Sequence, residues 1–383
     1  MLPALCSARL LPLLPLLLSA LLPAGCAGPA ARPADPASAQ VRRAVAAWSA
    51  APPASLAGIP LEDWSYEVAS VRRDGVRAFA RAELRYRLAG YDAAPAGSAR
   101  EVELAAEPGG HWRVTADRPA PGALPQLWDQ GPVTVRRGAH ALVLGGAGQG
   151  PETLDEVAAE ADRAVPAASA AWPGRWAGRV VVLVPGSLER MAQLLGRPAR
   201  EYQGLGAVTV GRVGAAPAAA DRVVVNPEGY GQLTAEGRRI VLTHETTHVA
   251  TRAATTATTP LWLSEGFADW AAYRDGAADP ERAAPALGRA VRAGEVPGAL
   301  PADAAFAFGG DPDALARAYE GAWLACRLIA ERWGDAALVA LYGRAGREPQ
   351  ESALREVLGT DGAALTRAWQ EYLSRELGRR ALR

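Results

Sequence analysis

His244-Glu245-Thr246-Thr247-His248 is the segment that most narrowly restricts what this chain can build. Residues four apart stack one turn above each other on an α-helix, so two imidazoles at this spacing converge only if the segment is helical. Such a pair can bind one metal ion. Glu245, one position past the first imidazole, then projects beside the metal, where it can take a proton from water. A helix is expected over 235–250, with Thr234 as its cap and Glu236 in its first turn. The plainer reading is a helix whose His and Glu are solvent-facing or salt-bridged. In a chain with four histidines, His111, His140, His244 and His248, chance seldom produces the pattern.

No histidine follows His248, so a third ligand close downstream falls to the carboxylates. Glu265 stands inside Leu261-Trp262-Leu263-Ser264-Glu265-Gly266-Phe267-Ala268-Asp269-Trp270. Ser264 is a fitting cap for a second helix, which sets Glu265 at its start and Asp269 one turn later on the same face. Glu265 there also reads as an acid favoured by the helix dipole, and Asp269 as an ordinary surface acid. The Thr-rich stretch 251–259 reads as a flexible loop joining the two helices near a cleft. His111 and His140 lie in strand-like contexts and read as surface or core residues.

The chain has 383 residues, 49% hydrophobic and 21% charged, with 41 basic against 41 acidic residues. That balance excludes a disordered chain and gives no electrostatic case for nucleic acid. Every basic residue is Arg, which reads as the codon bias of a GC-rich genome. Residues 1–25 carry an apolar run too short to span a bilayer and read as an export signal peptide. Ala24-Gly25-Cys26 resembles a lipoprotein processing box, which makes Cys26 the lipidation site. Ordinary cleavage near Ala27 is the alternative. The expected location is therefore extracytoplasmic, lipid-anchored to the cell membrane or else secreted. Cys326 is then the sole free thiol of the mature chain, which rules out an internal disulfide; it sits in an apolar helical run and reads as a packing residue.

The Pro- and Gly-rich segment 26–38 reads as a tether. A helix over 39–50 and strands over 64–71, 76–88, 101–106 and 112–116 form an N-terminal α+β module, 39–117, which resembles an NTF2-like domain. Prolines mark a linker over 118–131. Residues 132–383 form a second domain with a mixed sheet first and helices after, so the chain is an α+β protein.

In local sequence and spacing, residues 241–273 resemble the gluzincins, the thermolysin-like and aminopeptidase-N-like zinc peptidases. Segment 363–373 is similar to the closing helix of bacterial peptidase-MA-like lipoproteins. The resemblance implies that His244, His248 and Glu265 hold Zn²⁺, that Asp269 supports His244 through its second nitrogen, and that Glu245 is the general base of peptide hydrolysis. Tyr319-Glu320-Gly321 looks like the Tyr-Glu-Lys-Gly segment of aminopeptidase-N-like enzymes, without the Lys, which makes Tyr319 the oxyanion donor; Tyr273 competes for that role. A peptide or protein substrate is expected along a sheet edge, for which 204–210 is the candidate. The Gly-Ala-Met-Glu-Asn motif of aminopeptidases is absent, which leaves endopeptidase cleavage open. Two other readings stand beside this one: a non-catalytic zinc lipoprotein that serves as a binding module, and a metal-free surface interaction protein. An intact Glu245 weighs against the first, because structural zinc needs no general base.

Overall fold

A computed structural model describes residues 36–211, 220–274, 276, 278–308 and 310–378. The expected signal peptide, Cys26 and most of the expected tether lie outside these. No helix among the described residues is long and apolar enough to cross a membrane.

Helix α1 (Pro36–Trp48) precedes four strands, β1 (Leu61–Asp74), β2 (Arg77–Leu88), β3 (Ala96–Ala106) and β4 (Trp112–Pro119), paired antiparallel in chain order. Strand β2 alternates strictly between buried and less buried residues, as a one-faced sheet demands. Its inward Ala78 and Ala80 pack with Val102 and Leu104 of β3 against Val41 and Val45 of α1. The helix and meander expected from the sequence are present, with α1 opening three residues earlier than expected.

The stretch 118–131 is tied down, not loose. It holds the end of β4 and a 3₁₀ turn, Leu127–Gln130, with Leu127 buried. Arg100, buried on β3, reaches Asp117 at 3.0 Å and Asp129 at 2.7 Å, which clamps the turn to the sheet.

The second sheet contains β5 (Thr134–Arg137), β6 (Ala141–Gly145), β7 (Val180–Val184), β8 (Ala207–Val210) and β9 (Arg222–Val225) in the order β5-β6-β7-β9-β8. Strands β6, β7 and β9 are parallel, while β5 and β8 run antiparallel on the two edges. Val180-Val181-Val182-Leu183-Val184 is apolar throughout because both faces of this sheet are covered. One face packs on α2 (Pro151–Ala171) and α5 (Ala235–Thr251). Against the other lie Leu56, Ile59, Leu88 and Leu127, so the N-terminal module roofs the sheet. A buried bidentate ion pair joins the two parts, Asp92 to Arg222 at 2.6 and 2.7 Å.

Short helices α3 (Leu188–Leu195) and α4 (Pro227–Gly231) flank the sheet. After α5 come α6 (Leu261–Tyr273), α7 (Pro280–Ala283), α8 (Pro285–Arg292), α9 (Pro312–Trp333), α10 (Asp335–Ala345), α11 (Gln350–Leu358) and α12 (Gly362–Leu377). They share a core with Phe267, Leu287, Tyr319, Trp323, Tyr342 and Trp369 inside it. Cys326 is fully buried there, consistent with a packing residue. The fold is mixed α and β, with an antiparallel sheet, a mixed sheet and a helical C-terminal region.

Candidate metal centre

Helix α5 starts where Thr234 accepts a hydrogen bond from the Gly237 amide at 3.1 Å. It runs under the sheet, with His244, Glu245 and His248 buried. Helix α6 starts earlier than Ser264, the expected cap. Pro260 holds the N-cap position, since it has no amide hydrogen to lose and its φ of −61° suits the entry. Asp303, from a neighbouring turn, accepts from the Leu261 amide at 2.8 Å. Ser264 is therefore inside the helix and Glu265 in its second turn, facing α5. The dipole reading of Glu265 loses its basis, because the acid is past the first turn.

Nε2 of His244 and Nε2 of His248 stand 3.0 Å apart, and Oε2 of Glu265 lies 3.3 Å from each. Ligands bound tetrahedrally at zinc distances sit about 3.3 Å from one another. His244 Nδ1 meets Asp269 Oδ1 at 2.7 Å. A neutral His244 that donates from Nδ1 turns a lone pair inward at Nε2, so three lone-pair atoms face one point. Glu265 Oε2 is buried and makes no hydrogen bond among the described residues. Such an oxygen is costly unless a cation completes it, and the donor set of two imidazoles and one carboxylate fits Zn²⁺.

The electrostatics prepare two of the ligands. Burial opposes charge on Glu265, but His248 and His244 hold its carboxyl at about 2. Burial lowers His248 to about 4, despite the Glu265 charge. Near neutral pH these two are anion and free base. His244 is resisted by burial yet raised by Asp269, so the metal-free protein keeps a proton there that cation binding releases.

Glu245 is buried beside the cluster, and Thr209 of β8 donates to its Oε2 at 2.7 Å. The candidate edge 204–210 contains β8, the last strand of the sheet among the described residues. The Tyr319 ring lies 6.5 Å from the His244 ring, while Tyr273 packs on Trp323 at 4.8 Å. His111 is exposed and His140 half-buried, and neither belongs to the cluster.

The flexible loop expected over 251–259 is instead well held. Thr251, Thr255 and Thr259 are buried, and Thr255 meets the Tyr342 hydroxyl at 2.7 Å. The same hydroxyl approaches Thr251 at 3.2 Å and Ser264 at 3.4 Å, so one phenol joins both ligand helices. Threonine hydroxyls bonded to helix carbonyls replace the solvent contacts that a loop would need. Tyr342 and Asp303 escaped the sequence reading, and Thr209 entered it only as part of the candidate edge, because each acts on a residue far along the chain. Glu320 belonged to a quoted motif, but its position is structural: it accepts from the Leu287 amide at 2.6 Å and the Ala286 amide at 3.2 Å, capping α8.

No protein-family model and no curated protein matches the chain. Among solved structures it is similar to an M1 zinc metallopeptidase from Deinococcus radiodurans, at 16% identity and a TM-score of 0.35. A mutant of that enzyme bound to a Tyr-Ser-Ala substrate gives 16% identity and a TM-score of 0.32. In both, the alignment covers 74% of this chain and 62% of the other.

Proposed function

We propose that the protein is a zinc-dependent metallopeptidase of gluzincin type. The observation that carries this reading is the inward convergence of His244 Nε2, His248 Nε2 and Glu265 Oε2, the last buried without a hydrogen bond, beside a buried Glu245. Zn²⁺ held by these three would supply Lewis-acid polarisation of a peptide carbonyl and would acidify water. Asp269 fixes the His244 ring and its tautomer. Glu245 takes the proton from the attacking water at its carboxylate and returns it to the leaving amine. Tyr319 donates its hydroxyl to the oxygen that becomes negative in the tetrahedral intermediate. An extended peptide or protein substrate pairs with the outer edge of β8, backbone to backbone.

We further propose that the chain is exported and tethered to the membrane by lipid on Cys26, with residues 1–25 removed. Cys26→Ser would then abolish incorporation of labelled palmitate and release the protein from the membrane fraction.

The test of the activity is metal content and cleavage of a diverse peptide library, run on wild type and Glu245→Gln. One zinc per chain in both, with cleavage by the wild type alone, is the expected result. A wild type that holds zinc and cleaves nothing instead favours a non-catalytic binding module, and a chain without zinc sinks both.

A further inference from the structure

We propose that Thr209 is a positioning residue for Glu245, and that the strand offered to substrate is therefore also the strand that aims the base. The inference rests on the peptidase reading above. Thr209 Oγ1 lies 2.7 Å from Glu245 Oε2 and 3.0 Å from the Glu245 carbonyl oxygen. Thr209 and Glu245 are each 1% exposed, so water does not compete for these contacts. A hydroxyl donating to a carboxylate in such surroundings is one of the stronger hydrogen bonds a protein makes. It holds Oε2 against β8 and so fixes the orientation of the whole carboxylate.

The position is unusual for its strand. Ala207, Val208, Val223 and Val225 around it are apolar and buried, and packing alone at this sheet–helix contact would be met by Val. A hydroxyl here must find a partner, and its partner is the carboxylate. Thr209 is itself held. It pairs with Val223 on β9, while the next pair, Val210 with Arg222, leads to the buried Arg222–Asp92 ion pair. The aim of Glu245 and the register of a peptide on β8 thus share one rigid reference.

The experiment compares wild type, Thr209→Val and Thr209→Ser as full chains loaded with zinc, and again with Co²⁺ in place of zinc. Val keeps the shape and lacks the donor, while Ser keeps the donor. For Thr209→Val we expect wild-type zinc stoichiometry, an unchanged KM and a kcat lower by about 10- to 100-fold. Thr209→Ser should recover most of that loss. The visible absorption bands of bound Co²⁺, which report groups beside the metal, should shift in the Val variant and return in the Ser variant. The proposal is overturned if Thr209→Val matches wild type, if Thr209→Ser falls as far as Thr209→Val, or if the loss lies in KM or metal content alone. Should the wild type cleave nothing, the peptidase reading falls by itself. The Co²⁺ bands then still decide whether Thr209 sets the carboxylate.

Discussion

Asp269 and His244 face each other from adjacent helices with 2.7 Å between carboxylate Oδ1 and imidazole Nδ1. The contact orients the ring and leaves Nε2 to the interior. Outer partners of this kind are worth about 10- to 100-fold in metal affinity. Asp269→Ala should therefore weaken zinc binding by that order while far-ultraviolet dichroism stays native. Competition against a graded series of chelators measures it, and an unchanged affinity would remove Asp269 from the site.

Gly266 follows Glu265 because α9 leaves no room for a side chain. A Cβ at this position would meet the Ala322 carbonyl oxygen at 2.2 Å and Cys326 Sγ at 2.9 Å. Gly266→Ala must push α6 away from α9, which we expect to cost about 1–3 kcal/mol. Urea unfolding reads the stability. The neighbouring Glu265 is displaced with the helix, so zinc affinity should fall in the same variant.

The Asp92–Arg222 pair connects the N-terminal module to β9. Removing one member strands the other as a buried charge, and Asp92→Ala also takes the acceptor from the Leu88 amide, 2.8 Å away. A loss of about 3–5 kcal/mol is expected. Chemical denaturation would detect it. A change under 1 kcal/mol would mean that water or another group replaces Asp92.

Glu320 makes stability depend on pH. Burial raises its carboxyl from 4.5 to about 7, against the pull of the Leu287 and Ala286 amides. Between those values the folded protein holds a proton that the unfolded chain releases. Its contribution is therefore complete below about pH 4.5 and is lost as pH rises to about 7. Glu320→Gln should flatten the wild-type decline in unfolding free energy over that window. Parallel urea titrations at several pH values give the difference directly, and identical slopes would disprove the assignment.

Local pattern made much of this protein legible from sequence. Spacing along one helix is an internal property of that helix, so the alignment of His244 with His248 and the Thr234 cap could be read without a fold. The strand pattern over 76–88 is likewise a local property, and it is β2 in the structure. Glu265 came within reach because so few histidines exist. Its grouping with His244 and His248 came from the family resemblance and not from local pattern, since no periodicity encodes which helix lies beside which.

Tertiary packing decided the rest. Ser264 has the chemistry of a cap, yet Pro260 and Asp303 start the helix, because the preset φ of a proline and a carboxylate brought from elsewhere win over a local serine. The threonines of 251–259 look like a loop in isolation, and only tertiary contacts hold them: the Tyr342 hydroxyl meets Thr251 and Thr255, and the Gly346 and Ala345 carbonyls accept from Thr256 and Thr258. Sequence alone determined the residue types and the helical spacing of the candidate site. Only the packing of β8, α5, α6 and α9 brought the Glu265 oxygen to both imidazoles and Thr209 to Glu245, because those distances depend on how separate elements bury one another.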